Sequence, residues 1–178
     1  VHNRMVTVYI LQLRNKKYYV GKTTDIDKRI ESHKTGDGSV WTKLYPFMKM
    51  IYQIDNCDDY DEDKYTIMMM TQYGIENVRG GSFTTEILPL KTIQLLIDMI
   101  RNSNNLCLRC GSNRHFAEKC YTKSIVCFIC KNTGHYATVC IVKRGVQSSV
   151  SIVENSSNLR WKEQVEKLTA MNDLNIKL

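Results

Sequence analysis

Hydrophobic and polar residues alternate at the start of the chain in the manner of a β-hairpin. β-Branched and aromatic residues recur over residues 7–13, a polar turn follows over 14–17, and the strand pattern resumes over 18–20. Two such runs separated by a short polar segment predict two antiparallel strands. The segment 21–24 is predicted to end the second strand.

The first helix is predicted directly after this hairpin. Thr24 or Asp25 is suited to cap a helix, and Ile26 and Ile30 mark one face of it. The pattern continues to about Lys34.

The next seventy residues predict one strand and two helices. Residues 38–45 have the composition of a loop, and the apolar stretch 47–54 is predicted to be a third strand. Helices are predicted over about 60–73 and 88–101, with turns at 77–81 between them.

The fold class that follows is α+β, with a three-stranded antiparallel sheet flanked by helices. We assign this domain to residues 5–103 and two small cysteine-rich units to 106–141. Residues 142–178 then contain a linker and a short helix. The linker belongs to the stretch 141–158, which is rich in Ser, Val and Asn, and the helix is expected within 159–178.

Composition places the chain among intracellular, globular proteins. Hydrophobic residues make up 43% and charged residues 24% of the 178 residues. No apolar run approaches the roughly 18 residues of a membrane span, and the opening residues do not form a secretory signal. We therefore expect the cytoplasm or nucleus and no membrane partner. The net charge of +7, from 25 basic and 18 acidic residues, favours a polyanionic partner.

Six of the seven cysteines repeat the spacing C-x2-C-x4-H-x4-C twice within 34 residues. The first set is Cys107, Cys110, His115 and Cys120, and the second is Cys127, Cys130, His135 and Cys140. Zinc prefers four tetrahedral thiolate and imidazole ligands. A disulfide scaffold would leave both histidines unexplained and has no secretory context. The pattern predicts two structural Zn²⁺ ions, without which such small units do not fold.

This spacing resembles the CCHC zinc knuckle of retroviral nucleocapsid proteins. Phe116 and Tyr136 follow the two histidines, and Phe128 lies within the second cysteine pair. Aromatic faces stack on bases and the neighbouring Lys and Arg residues neutralise phosphates, so the resemblance implies binding of single-stranded nucleic acid. Some knuckles bind protein instead, and a protein-interaction adaptor is the alternative.

Gly21-Lys22-Thr23 resembles the end of a phosphate-binding P-loop, but the rest of that motif is missing. The pattern G-x4-G-K-[ST] requires glycine at position 16, which is Lys16. We therefore reject a nucleotide-binding loop.

The tripeptides Val8-Tyr9-Ile10 and Tyr19-Val20-Gly21 lie opposite each other in the predicted hairpin. Further residues follow at matching spacing, namely Arg29, His33, Glu62 and Asn77. Together these residues resemble the GIY-YIG nuclease family over roughly residues 7–83.

The chain departs from the family pattern at two places and shares one further feature with a subgroup of it. Val8 replaces the first glycine of the family, and Ser39, Trp41 and Thr42 stand where some homing enzymes carry a second histidine. The ending Val78 to Gly81 resembles a subgroup common among large DNA viruses and some other microbes, which points to a viral source.

The resemblance implies a metal-dependent endonuclease with five catalytic residues. Glu62 would hold one Mg²⁺ or Mn²⁺ ion, and Arg29 would neutralise charge on the phosphate. Tyr9, with Tyr19 beside it, would position or deprotonate the attacking water. His33 would orient that water or pack in the core.

Three more residues complete the expected site. Lys22 would contact phosphate, whereas Gly21 and Asn77 would shape loops. The whole pattern predicts hydrolysis of DNA phosphodiester bonds, with the knuckles tethering nucleic acid. Each residue taken singly is also an ordinary strand, helix or surface residue, so a catalytically inactive nucleic-acid-binding zinc protein is the alternative to the nuclease.

Overall fold

The computed structural model describes residues 5–127, 129 and 131 of the chain. The described residues form two compact units, one that ends at Ile87 and one that begins at Leu88. The expected linker over 141–158 and helix over 159–178 lie outside the described residues. None of the described helices has the length and apolar character needed to cross a bilayer.

A four-stranded mixed sheet forms the centre of the first unit. Its strands are β1 (Val6–Leu13), β2 (Lys17–Thr23), β3 (Phe47–Cys57) and β4 (Val78–Gly80), in the spatial order β3-β1-β2-β4. β1 is antiparallel to β2 and β3, whereas β4 is parallel to β2. The prediction of three antiparallel strands is correct for β1 to β3 but omits β4. Residues 77–81 resembled a turn because β4 has only three residues and ends on glycine.

β1 lies between two strands and is buried on both faces. Val8 and Ile10 lie on one face, and Tyr9, Leu11 and Leu13 on the other, and all five have no exposed surface. The second face packs into a cluster with Tyr19 and Trp41, which Ile26, Ile30, Tyr45 and Phe47 border. Burying each large apolar side chain contributes about 1.5–3 kcal/mol. β1 is therefore the fixed element against which the other side chains are placed.

The first helix, α1 (Ile26–Lys34), begins where the sequence predicted. Asp25 is its cap, and the Asp25 Oδ1 atom accepts a hydrogen bond from the Lys28 amide at 3.1 Å. This bond satisfies one of the amides that a helix leaves unpaired in its first turn.

A second, short helix occupies part of the segment that was expected to be a loop. α2 (Val40–Leu44) is capped by Ser39, whose hydroxyl accepts from the Thr42 amide at 3.3 Å. The loop prediction over 38–45 is wrong here because five residues are too few to show helical periodicity. Trp41 anchors α2 through its Nε1–H, which donates to the Tyr18 carbonyl at 3.0 Å.

α3 (Asp61–Tyr73) packs against β2 and β4. Its buried residues are Tyr65, Thr66, Met69 and Met70. Three acidic residues occupy its first turn, where the helix dipole favours negative charge. The helix ends at Gly74, which adopts a φ of 93° that favours glycine.

α4 (Leu90–Ser103) belongs to the second unit. Leu96, Ile97 and Ile100 form its buried stripe, at the i, i+1, i+4 spacing of an amphipathic helix. The sequence pattern predicts the domain boundary at 103, after this helix, whereas the contacts divide the chain before it. Sequence periodicity identifies such a helix but does not show which neighbour its apolar stripe meets.

The Arg79 guanidinium joins the backbone segments before and after β4 by hydrogen bonds. It is 4% exposed and lies 4.5 Å from the centre of the Trp41 ring. It donates to four backbone carbonyls at 2.6 to 2.8 Å, those of Ile75, Val78, Thr85 and Glu86. Burial lowers the pKa of Arg79 to about 10, so the side chain remains charged at neutral pH. A buried cation is tolerated here because four of its five N–H donors are bonded to carbonyls.

Arg79→Lys is expected to lower the free energy of unfolding by about 2–4 kcal/mol, because a single ammonium cannot reach all four carbonyls. Denaturant unfolding of the purified protein measures the loss. The exposed Arg14, changed to Lys, is the matched control and should shift the free energy by less than about 0.5 kcal/mol. Equal effects of the two changes would contradict the anchoring role of Arg79.

Candidate active site

The phenol oxygen of Tyr9 is the centre of the site. Arg29 Nε donates to this oxygen at 3.0 Å, and His33 Nε2 lies 2.9 Å from it. β1 supplies Tyr9, and α1 presents Arg29 and His33, four residues apart, on one face. The sequence predicted this grouping, and the structure brings all three side chains together.

Gly21 makes room for the Tyr9 side chain. The two residues are register partners in β1 and β2, and a Cβ atom at position 21 would collide with the Tyr9 hydroxyl. Gly21 therefore lies inside a strand, and its assignment to a structural loop is wrong. The residue is required because a tyrosine side chain passes directly over the backbone, not because of a turn.

Tyr19 lies beside Tyr9 in the same buried cluster and also neighbours His33. The ring centres of Tyr19 and His33 are 5.3 Å apart, and those of Tyr19 and Tyr9 are 6.4 Å apart. Burial raises the pKa of Tyr19, although Arg29 and a hydrogen bond with Ser39 act in the other direction.

Burial also raises the pKa of Tyr9 well above its ordinary value. The neighbouring Tyr19 and the Glu62 carboxylate raise it further, whereas the hydrogen bond and charge of Arg29 lower it. Tyr9 is therefore a neutral phenol at physiological pH, and Arg29 alone does not make it a strong base. The Arg29 guanidinium, through a hydrogen bond, and the Glu62 charge therefore both act on the same phenol.

Glu62 lies half-buried in the first turn of α3. Burial raises the pKa of this carboxyl group, and the Lys22 charge and hydrogen bonds from the Gly81 and Lys22 amides oppose that shift. The four other acidic residues of this segment bond elsewhere: Asp58 to the Tyr60 amide, Asp59 to Lys22, Asp61 to Lys64 and Asp63 to Ser82. Glu62 is the carboxylate of this segment whose charge raises the pKa of both Tyr9 and Tyr19.

Lys22 and Asn77 also have defined partners. Lys22 Nζ donates to the backbone and side-chain oxygens of Asp59, both at 3.0 Å. Asn77 Nδ2 donates to the Tyr73 carbonyl at 2.7 Å, and its Oδ1 accepts from Lys17 at 2.9 Å. The sequence did not predict the contact between Asp59 and Lys22, because a run of acidic residues does not indicate which carboxylate will bond a lysine on β2.

His33 is enclosed between Tyr9 and α2. Its side chain is 2% exposed, and its Nδ1 atom lies 3.1 Å from the Thr42 hydroxyl oxygen. Burial, followed by the Arg29 charge, lowers the pKa of His33 to about 4, so the imidazole is neutral at pH 7. Sequence reasoning named Thr42 only as a replacement for a histidine and did not identify this contact.

The second unit contains a metal-ligand cluster at the predicted position. The ligand atoms of the four residues lie within 4.8 Å of one another, and the set is Cys107, Cys110, His115 and Cys120. The His115 Nε2 atom lies 3.4 Å from the Cys110 sulfur. Such a cluster can hold a metal ion such as zinc.

The side chains expected to contact nucleic acid at this cluster are partly described. Phe116 is 68% exposed, and the neighbouring Arg114 and Lys119 are also exposed. Cys127, the first residue of the second predicted zinc set, is buried. The rest of that set lies outside the described residues, together with its two aromatic residues: Phe128, Cys130, His135, Tyr136 and Cys140.

Comparison with known proteins identifies one domain family. The model of the GIY-YIG catalytic domain matches residues 5–63, which is less than half of the chain. No solved structure matches the chain significantly.

Similar proteins come from bacteria and archaea. UPF0213 protein YsiG of Lactococcus lactis is 40% identical over 47 residues, which are 26% of this chain and 45% of that protein. A UPF0213 protein of Bacillus cereus is 32% identical over 65 residues, 36% of this chain and 62% of that protein. One of Halobacterium salinarum is 39% identical over 36 residues, 20% of this chain and 47% of that protein.

The chain thus spans about half the length of the curated relatives it matches. These relatives give no support to the expected viral source. Residues 5–63 carry a GIY-YIG domain, which is a nuclease-type fold, and this domain contains Tyr9, Arg29 and Glu62.

Proposed function

We propose that the first unit is a metal-dependent endonuclease that hydrolyses DNA phosphodiester bonds, and that the second unit tethers nucleic acid through zinc knuckles. The observation that carries the proposal is the hydrogen bond from Arg29 to the buried Tyr9 oxygen, with the Glu62 charge acting on the same phenol. A guanidinium, a carboxylate and a phenol are the groups needed to bind a phosphate, hold a metal ion and position a water.

Glu62 is the residue that would hold the divalent ion. A single carboxylate suits Mg²⁺ or Mn²⁺, which bind oxygen ligands and keep several waters when one or two carboxylates hold them. Backbone hydrogen bonds from Gly81 and Lys22 favour the charged form of this carboxylate, which is the form that binds a metal ion. When bound, the ion supplies Lewis-acid polarisation of the phosphate and stabilises the departing oxygen.

Arg29 and Lys22 would bind the scissile phosphate. The planar guanidinium of Arg29 can bond two phosphate oxygens and would stabilise the negative charge that develops on them. Lys22 is held by Asp59 in the free protein, in an exposed pair with side chains 34% and 62% exposed. Exposed pairs contribute only about 0–1 kcal/mol, so a phosphate can displace Asp59.

Tyr9 would position the attacking water as a neutral phenol. Its oxygen accepts a hydrogen bond from Arg29, and the side chain has no exposed surface in the free protein. In the free protein Arg29 occupies one acceptor position of the Tyr9 oxygen. If the guanidinium moves to bind a phosphate, this position on the Tyr9 oxygen becomes free. A water can then donate to Tyr9 and present its own lone pair to phosphorus.

The zinc knuckles would raise the local concentration of nucleic acid. Phe116 offers an exposed ring for stacking, and Arg114 and Lys119 offer charge for phosphates. Tethering of this kind increases avidity without changing the chemical step.

A catalytically inactive nucleic-acid-binding protein is the second candidate. The complete burial of Tyr9 and its raised pKa favour this candidate, because a catalytic phenol must reach water. Cleavage assays with single-stranded, duplex and branched DNA in Mg²⁺ or Mn²⁺ separate the two functions.

Glu62→Gln and Arg29→Lys are each expected to lower kcat on a cleaved DNA by roughly 100-fold or more, because one removes the metal ligand and the other the phosphate fork. Binding of the DNA should persist. The matched control is Glu31→Gln on the exposed side of α1, which should cut at the wild-type rate. Full cleavage by Glu62→Gln would rule out the proposed site.

Cleavage is expected to be lost on acidification. The midpoint of this loss should lie at a higher pH than the pKa of an ordinary glutamate. Burial raises the pKa of Glu62, so its carboxyl group takes up a proton sooner as the pH falls and then no longer binds the metal. A pH profile of kcat/KM at subsaturating Mn²⁺ measures the midpoint. Relief of the acid loss by excess Mn²⁺ would support the assignment, whereas a profile that excess Mn²⁺ does not shift would contradict it.

Two equivalents of zinc per chain are expected in the reduced, purified protein, one for each predicted set of four ligands. Cys110→Ser should remove one equivalent and weaken binding to single-stranded DNA, and salt should weaken wild-type binding steeply. Cys57→Ser is the matched control, because Cys57 lies in β3 and is not part of either set. Atomic absorption that finds no zinc would overturn the assignment.

A further inference from the structure

A row of buried hydrogen bonds lies behind Tyr9. The Tyr9 hydroxyl and His33 Nε2 are 2.9 Å apart, and His33 Nδ1 and the Thr42 hydroxyl are 3.1 Å apart. The Thr42 hydroxyl then donates to the Ser39 carbonyl at 3.0 Å. His33 and Thr42 are each 2% exposed.

The Thr42 end of this row determines which nitrogen of His33 carries the hydrogen. A carbonyl can only accept, so Thr42 uses its single hydrogen on Ser39. The Thr42 oxygen is then an acceptor towards His33, and Nδ1 must be the donor. The neutral imidazole has one hydrogen, so Nε2 has a free lone pair that faces Tyr9.

The Tyr9 end leads to the same tautomer. Tyr9 has no exposed surface, so its O–H group needs an acceptor within the protein. Arg29 can only donate to the Tyr9 oxygen, whereas the Nε2 lone pair of His33 can accept. The opposite tautomer would place three hydrogens around one oxygen and leave the phenol hydrogen without this acceptor.

We propose that Thr42 is a positioning residue that fixes the Nδ1–H tautomer of His33, so that Tyr9 turns its hydrogen inward and its lone pairs towards the reacting water. This inference rests on the proposed nuclease function. The direction of one hydrogen bond decides the orientation of the water. If the Tyr9 oxygen accepts from the water, a lone pair of the water can point at phosphorus. If the Tyr9 hydroxyl donates to the water, that lone pair is occupied.

Gly38 supports the view that the fold is built around this contact. A Cβ atom at position 38 would collide with both His33 Nδ1 and the Thr42 hydroxyl. The cap of α2 holds Thr42 in place, since Ser39 Oγ accepts from the Thr42 amide at 3.3 Å. Thr42 is therefore held at both its backbone and its hydroxyl, with no side chain between it and His33.

The tautomer can be measured without any cleavage. In long-range ¹H–¹⁵N spectra of the zinc-loaded full chain, an unprotonated ring nitrogen resonates far from a protonated one. The chain has four histidines, and the absence of one set of signals in His33→Gln assigns His33. We expect the hydrogen on Nδ1 in the wild type and in Thr42→Ser. In Thr42→Val only the Tyr9 contact still favours this tautomer, so we expect a mixture in which part of the hydrogen has moved to Nε2. A wild-type hydrogen on Nε2 would overturn the inference, and so would a Thr42→Val spectrum identical to that of the wild type.

Cleavage kinetics test the consequence for Tyr9. Loss of one such hydrogen bond corresponds to a fall in kcat of about tenfold, with KM unchanged and with recovery in Thr42→Ser. Thr71→Val is the matched control, because the Thr71 hydroxyl bonds the Ile67 carbonyl within α3. A tautomer change with unaltered kcat would overturn the role of Thr42. A wild type that cuts no DNA would refute the nuclease while the spectra still decide the tautomer.

Discussion

The hydrogen bonds on the buried Tyr9 oxygen are the constraint on which the first unit depends. β1 is covered on both faces, so its tyrosine cannot turn to solvent, and the absence of a side chain at Gly21 leaves room for the Tyr9 hydroxyl. A polar oxygen without exposure must be bonded, and α1 supplies Arg29 and His33 for this purpose. The packing of the core and the placing of the candidate catalytic groups are therefore the same physical problem.

The opposite side of the site depends on β4 and the turn that follows it. Arg79 holds the backbone on both sides of β4 through its four carbonyl bonds, and its charge is compatible with burial for that reason. The same backbone supplies the Gly81 amide that bonds Glu62. Arg79 therefore holds the backbone that lies before and after Gly81 in the sequence.

The sequence predicts long, regular elements well and short or tertiary features poorly. The hairpin, α1 and α3 follow from apolar periodicity and, for α1, from its cap, whereas Arg29, His33 and Glu62 were expected from the resemblance to the GIY-YIG family. β4 and α2 are too short to show a period, and the assignment of Gly21 to a loop ignored the side chain across the strand pair. The contacts of Thr42 with His33 and of Asp59 with Lys22 join separate elements, so no local pattern indicates them. Which unit α4 belongs to also depends on contacts between separate elements, so the sequence pattern did not indicate it.

The most direct measurement of the central claim is the position of bound Mn²⁺, because Glu62 and Arg29 must share one site around Tyr9. Titration of the isotope-labelled protein with Mn²⁺ broadens NMR signals near the ion. The account predicts strongest broadening at Glu62, extending to the Tyr9 ring and the Arg29 Nε–H, and its loss in Glu62→Gln. Broadening that centres on the exposed acid Asp37, with sharp signals at Tyr9 and Arg29, would contradict it.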